Sequence, residues 1–189
     1  IWTHDEEVGC RGSRVLADKW SDKLDPLPSM AWIGEPTDFR ICRMHPGHTT
    51  IEVTCTGQAA HSSRPGLGTN AIHLAQLALA AIEQLAQTWS HERKYEEHLV
   101  CPFPVMNVGL IHGGTAINIV PDRCTFQVGI RPLPGEREQQ RIEEIREALA
   151  PVQQQATHLQ GRIELSVLQI APALLTPEGT HLEHALQAH

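Results

Sequence analysis

The sequence predicts an α/β protein (α+β) in which one two-layer domain, residues 41–171, takes up most of the chain. Three observations predict it: alternating segments typical of half-buried strands, two segments with helical apolar spacing, and the order in which they occur. That order is strand, helix, strand, strand, helix, strand. It is the βαββαβ order of a ferredoxin-like domain, in which both helices cover one face of the sheet.

The first half of this domain contains a strand and a helix. Residues 50–57 alternate between apolar and polar side chains, which predicts a half-buried strand. The apolar side chains on its buried face are Ile51, Val53 and Cys55. After a loop, Thr69 or Asn70 caps a helix whose apolar residues recur at spacings of three and four as far as Trp89.

The second half supplies three strands and a charged helix. Strands are predicted over residues 105–111, 124–131 and 162–170, and the helix over residues 136–154. In the last strand the inward side chains are Ile163, Leu165 and Val167. The polar face of the middle strand carries Thr125, Gln127 and Arg131. Because the helices cover the opposite face, we expect this polar face to be open to a partner or a substrate.

Residues 1–40 are typical of one part of an α/β layer, with acidic residues at two predicted strand ends. Asp5, Glu6 and Glu7 follow an apolar start, and Glu35 follows the apolar run Met30 to Ile33. Carboxylates at strand ends suit a divalent metal, which lowers the pKa of a bound water that a neighbouring carboxylate then deprotonates. The alternative is that the three acids form the first turn of the following helix, stabilised by its dipole.

Composition excludes some classes of function. A net charge of -7 and a pI of about 5.9 argue against a nucleic-acid partner, and no apolar run is long enough for a membrane span. The five dispersed cysteines, with no CxxC pair, are typical of buried thiols in a reducing compartment, so we expect a cytoplasmic protein. The chain starts without Met in what resembles mid-strand, so we expect its true N-terminus to lie upstream.

Five motifs in order resemble the M20 metallopeptidases, and within them the acetylornithine deacetylase branch. They are Asp5-Glu6-Glu7, Gly34-Glu35-Pro36-Thr37, Gly57 to Ser63 with Asn70-Ala71-Ile72, Asn107-Val108-Gly109 through Gly113-Gly114 to Asn118 and Pro121, and Arg131 to Gly135. The resemblance implies a ferredoxin-like lid, residues 41–171, that also forms a homodimer. The lid is inserted in an incomplete α/β zinc-peptidase-like catalytic domain, residues 1–40, whose chain starts to return over residues 172–189.

The resemblance also implies a role for each matched residue. Glu6 corresponds to the general base, and Glu7 and Glu35 correspond to ligands of two different zinc ions, for which cobalt is a substitute. His61 corresponds to a lid histidine that reaches the active site of the neighbouring subunit. Asn118 and Arg131 correspond to positions that hold the substrate, an N-acyl amino acid, with Arg131 pairing with its carboxylate.

Residue-level alternatives stay open at this point. His61, Ser62 and Ser63 are also typical of a polar turn, and Asn118 is typical of a turn position. Arg131 is also typical of an arginine in a surface ion pair. The family's other metal ligands have no counterpart here, so we expect this chain by itself to be inactive and not to retain zinc. Other M20 deacylases or dipeptidases, such as succinyl-diaminopimelate desuccinylase and aminoacylase, share the pattern. A further alternative is a ferredoxin-like dimerisation or ligand-binding module without catalysis.

Overall fold

The computed structural model describes residues 4–5, 10–20, 29–95 and 97–188. The chain divides into two compact units, residues 44–176 and residues 1–43 together with 177–189. The domain limits predicted from the sequence, after residues 40 and 171, differ from these unit limits by a few residues and stay predictions.

The described elements are named in chain order. They are α1 Arg11–Asp18, β1 Met44–His45, β2 His48–Thr56, β3 Ala60–His61, a 3-10 turn Pro65–Leu67, α2 Ala71–Trp89, β4 Val105–Gly113, β5 Ile119–Val120, β6 Arg123–Arg131, α3 Glu138–His158, β7 Arg162–Ala171, β8 Leu174–Leu175 and α4 His181–Gln187.

The larger unit is built on a four-stranded antiparallel sheet in the order β4-β6-β2-β7, with α2 and α3 packed over one face. The two central strands bury every second residue, because only the helix-covered face is removed from water. Their buried apolar side chains are Ile51, Val53, Cys55, Cys124, Phe126, Val128 and Ile130, and Thr49 is buried on the same face. The sequence prediction of a ferredoxin-like domain is confirmed.

The edge strand β7 has the predicted inward face, but one residue on it is not buried. Ile163 is buried as expected and Leu165 packs against the core, but Val167 remains 39% exposed. The register between β2 and β7 shifts between Thr50 and Ile51, which leaves Leu168 as an extra residue on β7. This bulge changes the alternation only beyond Val167, which pairs with the buried Ile51 and so lies on the helix-covered face as predicted. Val167 stays partly exposed because β7 is an edge strand of the described sheet.

Both helices of this unit have a physical reason to begin where they do. The Asn70 side chain accepts hydrogen bonds from the backbone N–H groups of Ile72 and His73, at 2.9 and 3.3 Å, and so caps α2 as predicted. The helix α3 begins at Glu138, two residues after the predicted start, since residues before it form a tight turn. It continues through Pro151 to His158.

The smaller unit contains α1 and α4 among its described residues. Thr180 caps α4 by accepting a hydrogen bond from the Glu183 N–H at 3.2 Å, and Arg43 forms an ion pair with Glu178 at 2.7 Å. The predicted strand that ends at Glu35 is wrong. Residues 31–36 belong to no strand and pair with no strand in the described part of the chain, and a strand needs a hydrogen-bonded neighbour.

No helix in the described ranges is both long and apolar enough to cross a membrane.

Candidate active site

His61 lies on a short strand that the sequence places just beyond the end of β2. Its strand β3 pairs with β5, so that His61 is opposite Ile119, and the backbone N–H of Ser62 donates to the carbonyl oxygen of Asn118 at 2.9 Å. The chain can turn here because Gly57 has no side chain: a Cβ at this position would meet the Thr69 carbonyl oxygen at 1.9 Å. His61 and Asn118, both exposed, are therefore neighbours.

The ring of His61 has a defined hydrogen-bonding arrangement. Its Nδ1 accepts the backbone N–H of Ser63 at 3.2 Å and lies 2.7 Å from the Ser63 hydroxyl oxygen. An amide N–H can only donate, so Nδ1 is the acceptor nitrogen of the ring in this arrangement. The proton is then on Nε2, which makes the exposed edge of His61 a hydrogen-bond donor.

Arg131 lies at the other end of the sheet. It is the last residue of β6 and is exposed, while His61 and Asn118 lie beyond the Arg123 end of the same strand. Arg131 lies eight residue positions after Arg123 along the strand, which corresponds to about 26 Å. The structure brings His61 and Asn118 together and does not bring Arg131 to them within one chain.

Sequence reasoning missed the neighbours of Arg131. His48 precedes Thr50 by two residues and lies on the same open face of the sheet, next to the position of Arg131 across β2 and β6. Burial lowers the pKa of His48, and the positive charge of Arg131 lowers it further. The alternation of β2 places His48 on that face, but only the strand register shows that it faces Arg131.

The acidic residues are only partly described. Glu6 and Glu7 lie outside the described residues, whereas Glu35 is exposed and its backbone oxygen accepts the Thr37 N–H at 2.8 Å. In the described ranges no three His, Cys, Asp or Glu side chains are grouped closely enough to hold a metal ion. The described residues by themselves thus do not fit a zinc site, and Glu35 is the one predicted ligand among them.

Comparisons with known proteins identify the family of this chain. Residues 43–157 match the model of the M20 peptidase dimerisation domain. The chain belongs to the M20 peptidase family. It is 38% identical over 166 residues to an acetylornithine deacetylase from Klebsiella pneumoniae, a match that covers 88% of this chain and 41% of that protein. The chain therefore spans less than half the length of this curated relative.

Solved structures share the fold. A putative aminohydrolase from methicillin-resistant Staphylococcus aureus superposes with a TM-score of 0.62 at 18% identity, covering 79% of this chain and 37% of that chain. A tripeptidase from Staphylococcus aureus superposes with a TM-score of 0.57 at 22% identity, covering 77% and 35% respectively. At these identities the likeness supports the fold of the dimerisation domain and no particular substrate.

Proposed function

We propose that this chain is part of a zinc-dependent amidohydrolase that removes the acyl group from an N-acyl amino acid. N-acetylornithine, an intermediate of arginine biosynthesis, is the first candidate substrate, because the 38% identical relative is an acetylornithine deacetylase. Glu7 and Glu35 are the proposed zinc ligands, and the metal would supply an activated water. The other M20 deacylases and dipeptidases remain the alternative substrate classes.

The observation that carries the proposal is the separation of the two lid groups. Arg131 and the pair of His61 and Asn118 lie at opposite ends of β6, about 26 Å apart along the strand. An N-acyl amino acid is much shorter than this distance. If all three residues contact one substrate, they must come from two chains, with Arg131 from one and His61 with Asn118 from the other.

The strand topology allows two chains to contribute residues to one active site. The edge strand β4 pairs with β6, so that Val105 lies at the Arg131 end and Gly113 at the Arg123 end. Most dimers have a two-fold axis, and such an axis through the middle of β4 would pair two copies of it antiparallel. The His61 end of one protomer would then lie beside the Arg131 end of its partner. We propose this homodimer.

The residues have separate chemical tasks in this proposal. Glu6 takes a proton from the water that attacks the amide carbon and returns it to the leaving amine. The exposed Nε2–H of His61 suits a developing oxyanion, which needs a donor rather than an acceptor. The guanidinium of Arg131 suits the substrate carboxylate, to which it can donate two parallel hydrogen bonds, while Asn118 supplies a further amide contact.

Mixing two inactive variants of a full-length enzyme that contains this chain tests the proposal. Glu6→Gln removes the base, and His61→Ala removes the oxyanion donor, which generally costs about a hundredfold or more in rate. Each variant alone should have little N-acetylornithine deacetylase activity. In a heterodimer of the two, one site combines the intact Glu6 of one chain with the intact His61 of the other, so co-expression should restore activity.

Two controls define the result. His91→Ala removes an exposed histidine of a different loop and should leave turnover unchanged. Glu6→Gln should retain zinc, measured by metal analysis, because Glu6 is not a proposed ligand. Mixtures that stay as inactive as their components would show that His61 acts within its own chain or not at all, and an intact turnover in Glu6→Gln would assign the base elsewhere.

A further inference from the structure

The turn that follows Arg131 is held at several points. Residues 133–136 form a hydrogen-bonded turn in which the Glu136 N–H donates to the Leu133 oxygen at 3.1 Å and Gly135 has a φ of +81°. The oxygen of Pro132 accepts the Gly47 N–H at 3.0 Å, and the Tyr95 hydroxyl donates to the Pro134 oxygen at 3.2 Å. The segment directly after β6 is thus attached to two other loops.

The side chain of Glu136 folds back onto this turn. Its Oε2 accepts the backbone N–H of Leu133 at 3.0 Å, and Leu133 is fully buried. Arg141 binds the same carboxylate with two parallel hydrogen bonds from one edge of its guanidinium, Nε to Oε2 at 3.1 Å and Nη2 to Oε1 at 2.7 Å. Burial alone would raise the pKa of Glu136, but the hydrogen bonds from Arg141 and Leu133 bring it below its ordinary value.

Arg141 is itself buried, with 3% of its surface exposed. Besides Glu136 it donates to Glu144 at 2.9 Å and to Glu92 at 2.7 Å, and its guanidinium lies 4.9 Å from the centre of the Trp89 ring. Trp89 in turn donates from Nε1 to Glu144 at 2.7 Å. Every hydrogen-bonding side of the guanidinium is occupied by an acidic partner, which fixes its orientation.

Stability alone is a weak explanation for this cluster. Removing charges from water costs so much that apolar residues of similar volume often stabilise a fold as well as a buried ion pair does. The paired hydrogen bonds of a guanidinium hold their partner groups in a fixed position. Here they hold the turn at residues 133–136, which begins two residues after Arg131.

We propose that Arg141 is a positioning residue for Arg131. Through Glu136 it holds the turn of residues 133–136, and the turn holds the end of β6 from which Arg131 presents its guanidinium on the open face of the sheet. The consequence for substrate binding rests on the proposed function, in which Arg131 pairs with the substrate carboxylate. The geometric part of the inference does not depend on that function.

His48 provides a reporter of where the Arg131 charge lies. The pKa of its imidazole is lowered by burial and by that charge, and the ring can be titrated by NMR in the 189-residue chain. Arg131→Met should raise the pKa of His48 and so calibrate the reporter, and a His48→Gln spectrum assigns the resonance. Arg141→Met should raise the pKa of His48 in the same direction, because Arg131 is released from its place.

A combination of variants separates positioning from a general loosening of the fold. In the Arg131→Met background, Arg141→Met should cause no further shift at His48, since the charge it would move is gone. Arg146→Met removes an exposed arginine of the same helix, paired only weakly with Glu143 at 3.8 Å, and should leave the pKa of His48 unchanged. If Arg141→Met fails to fold by circular dichroism, Glu136→Gln, which weakens the same link, takes its place.

Two results would overturn the inference. One is a His48 titration that Arg131→Met shifts and that Arg141→Met or Glu136→Gln leaves unchanged. The other is a titration that even Arg131→Met does not shift, since the charge would then lie elsewhere.

Kinetics of the full-length enzyme distinguish this inference from the proposed function. Arg131→Met and Arg141→Met should both raise KM for N-acetylornithine, by about tenfold or more for Arg131→Met, with a smaller effect on kcat. Arg141→Lys keeps the charge and should recover part of the loss. A raised KM in Arg131→Met alone contradicts the role of Arg141, whereas an unchanged KM in both contradicts the proposed role of Arg131 and leaves the NMR result standing.

Discussion

Cys55 and Cys124 are directly opposite each other on β2 and β6, and both face the core. Burial raises the pKa of the Cys55 thiol to about 12, with a further contribution from Cys124, and burial also raises the pKa of Cys124. Because the thiolate is the reactive form, both groups should be chemically inert in the folded protein. They act as small apolar residues of the sheet.

Thiol labelling tests whether the buried cysteines are less reactive than the exposed ones. In native protein at pH 8, a thiol reagent should modify the exposed Cys10, Cys42 and Cys101 quickly and leave Cys55 and Cys124 unmodified. All five should react in denaturant. Cys42→Ser should reduce only the fast phase, by one thiol. Rapid modification of all five in native protein would contradict the burial of Cys55 and Cys124 in the core beneath the helices.

Site residues could be predicted from the sequence as residue types, but not their hydrogen bonds. His61 and Asn118 stand out within their motifs, yet their proximity depends on the pairing of β3 with β5, which joins residues almost sixty positions apart. Which ring nitrogen of His61 accepts a hydrogen bond depends on the backbone N–H of Ser63, whereas the sequence pattern suggests only a polar turn. Glu6 and Glu7 lie outside the described residues, so their roles stay predictions.

At the scale of elements, alternation predicted the two central strands because each has one face in the core and one outside. At β7 the same reasoning predicts which side chains face inward but not how far Val167 is buried, because one side of this strand has no neighbour among the described residues. It fails for Met30 to Ile33, where an apolar run has no described strand beside it. Local pattern predicts an element reliably only where tertiary packing completes it.

Pro151 lowers the stability of α3, and this effect can be tested. It lies inside α3, is exposed, and has no N–H for the carbonyl of Glu147. Replacing an interior helix proline by Ala restores that hydrogen bond, while the more flexible unfolded chain offsets part of the gain. Pro151→Ala should therefore raise the free energy of unfolding by about 2 kcal/mol, measured by urea denaturation.

The matched control for this change is Gln155→Ala, an exposed position one turn further along the same helix. It should alter the free energy of unfolding by less than about 0.5 kcal/mol. A loss of stability in Pro151→Ala would mean that the rigid proline stabilises the folded chain by more than its missing N–H costs.

At the scale of the whole molecule, the sheet has two edges that differ in charge. The edge strand β4 contains no Asp, Glu, Lys or Arg and exposes Val108, Leu110 and Ile111. The edge strand β7 also exposes apolar side chains, but it carries Arg162 and Glu164, paired at 2.7 Å. Charged side chains discourage pairing between edges, so an uncharged apolar edge is the better candidate for a dimer interface.

Substitutions at the two edges test which one pairs. Leu110 on β4 and Leu168 on β7 are matched in type and exposure, at 51% and 52%. Sedimentation velocity should show a dimer for the wild-type chain and for Leu168→Lys, and a monomer for Leu110→Lys, whose charges would face each other across the two-fold axis. The reverse pattern would place the interface on β7. A monomeric wild-type chain would contradict pairing through this domain, and with it the shared active site in which His61 serves the neighbouring subunit.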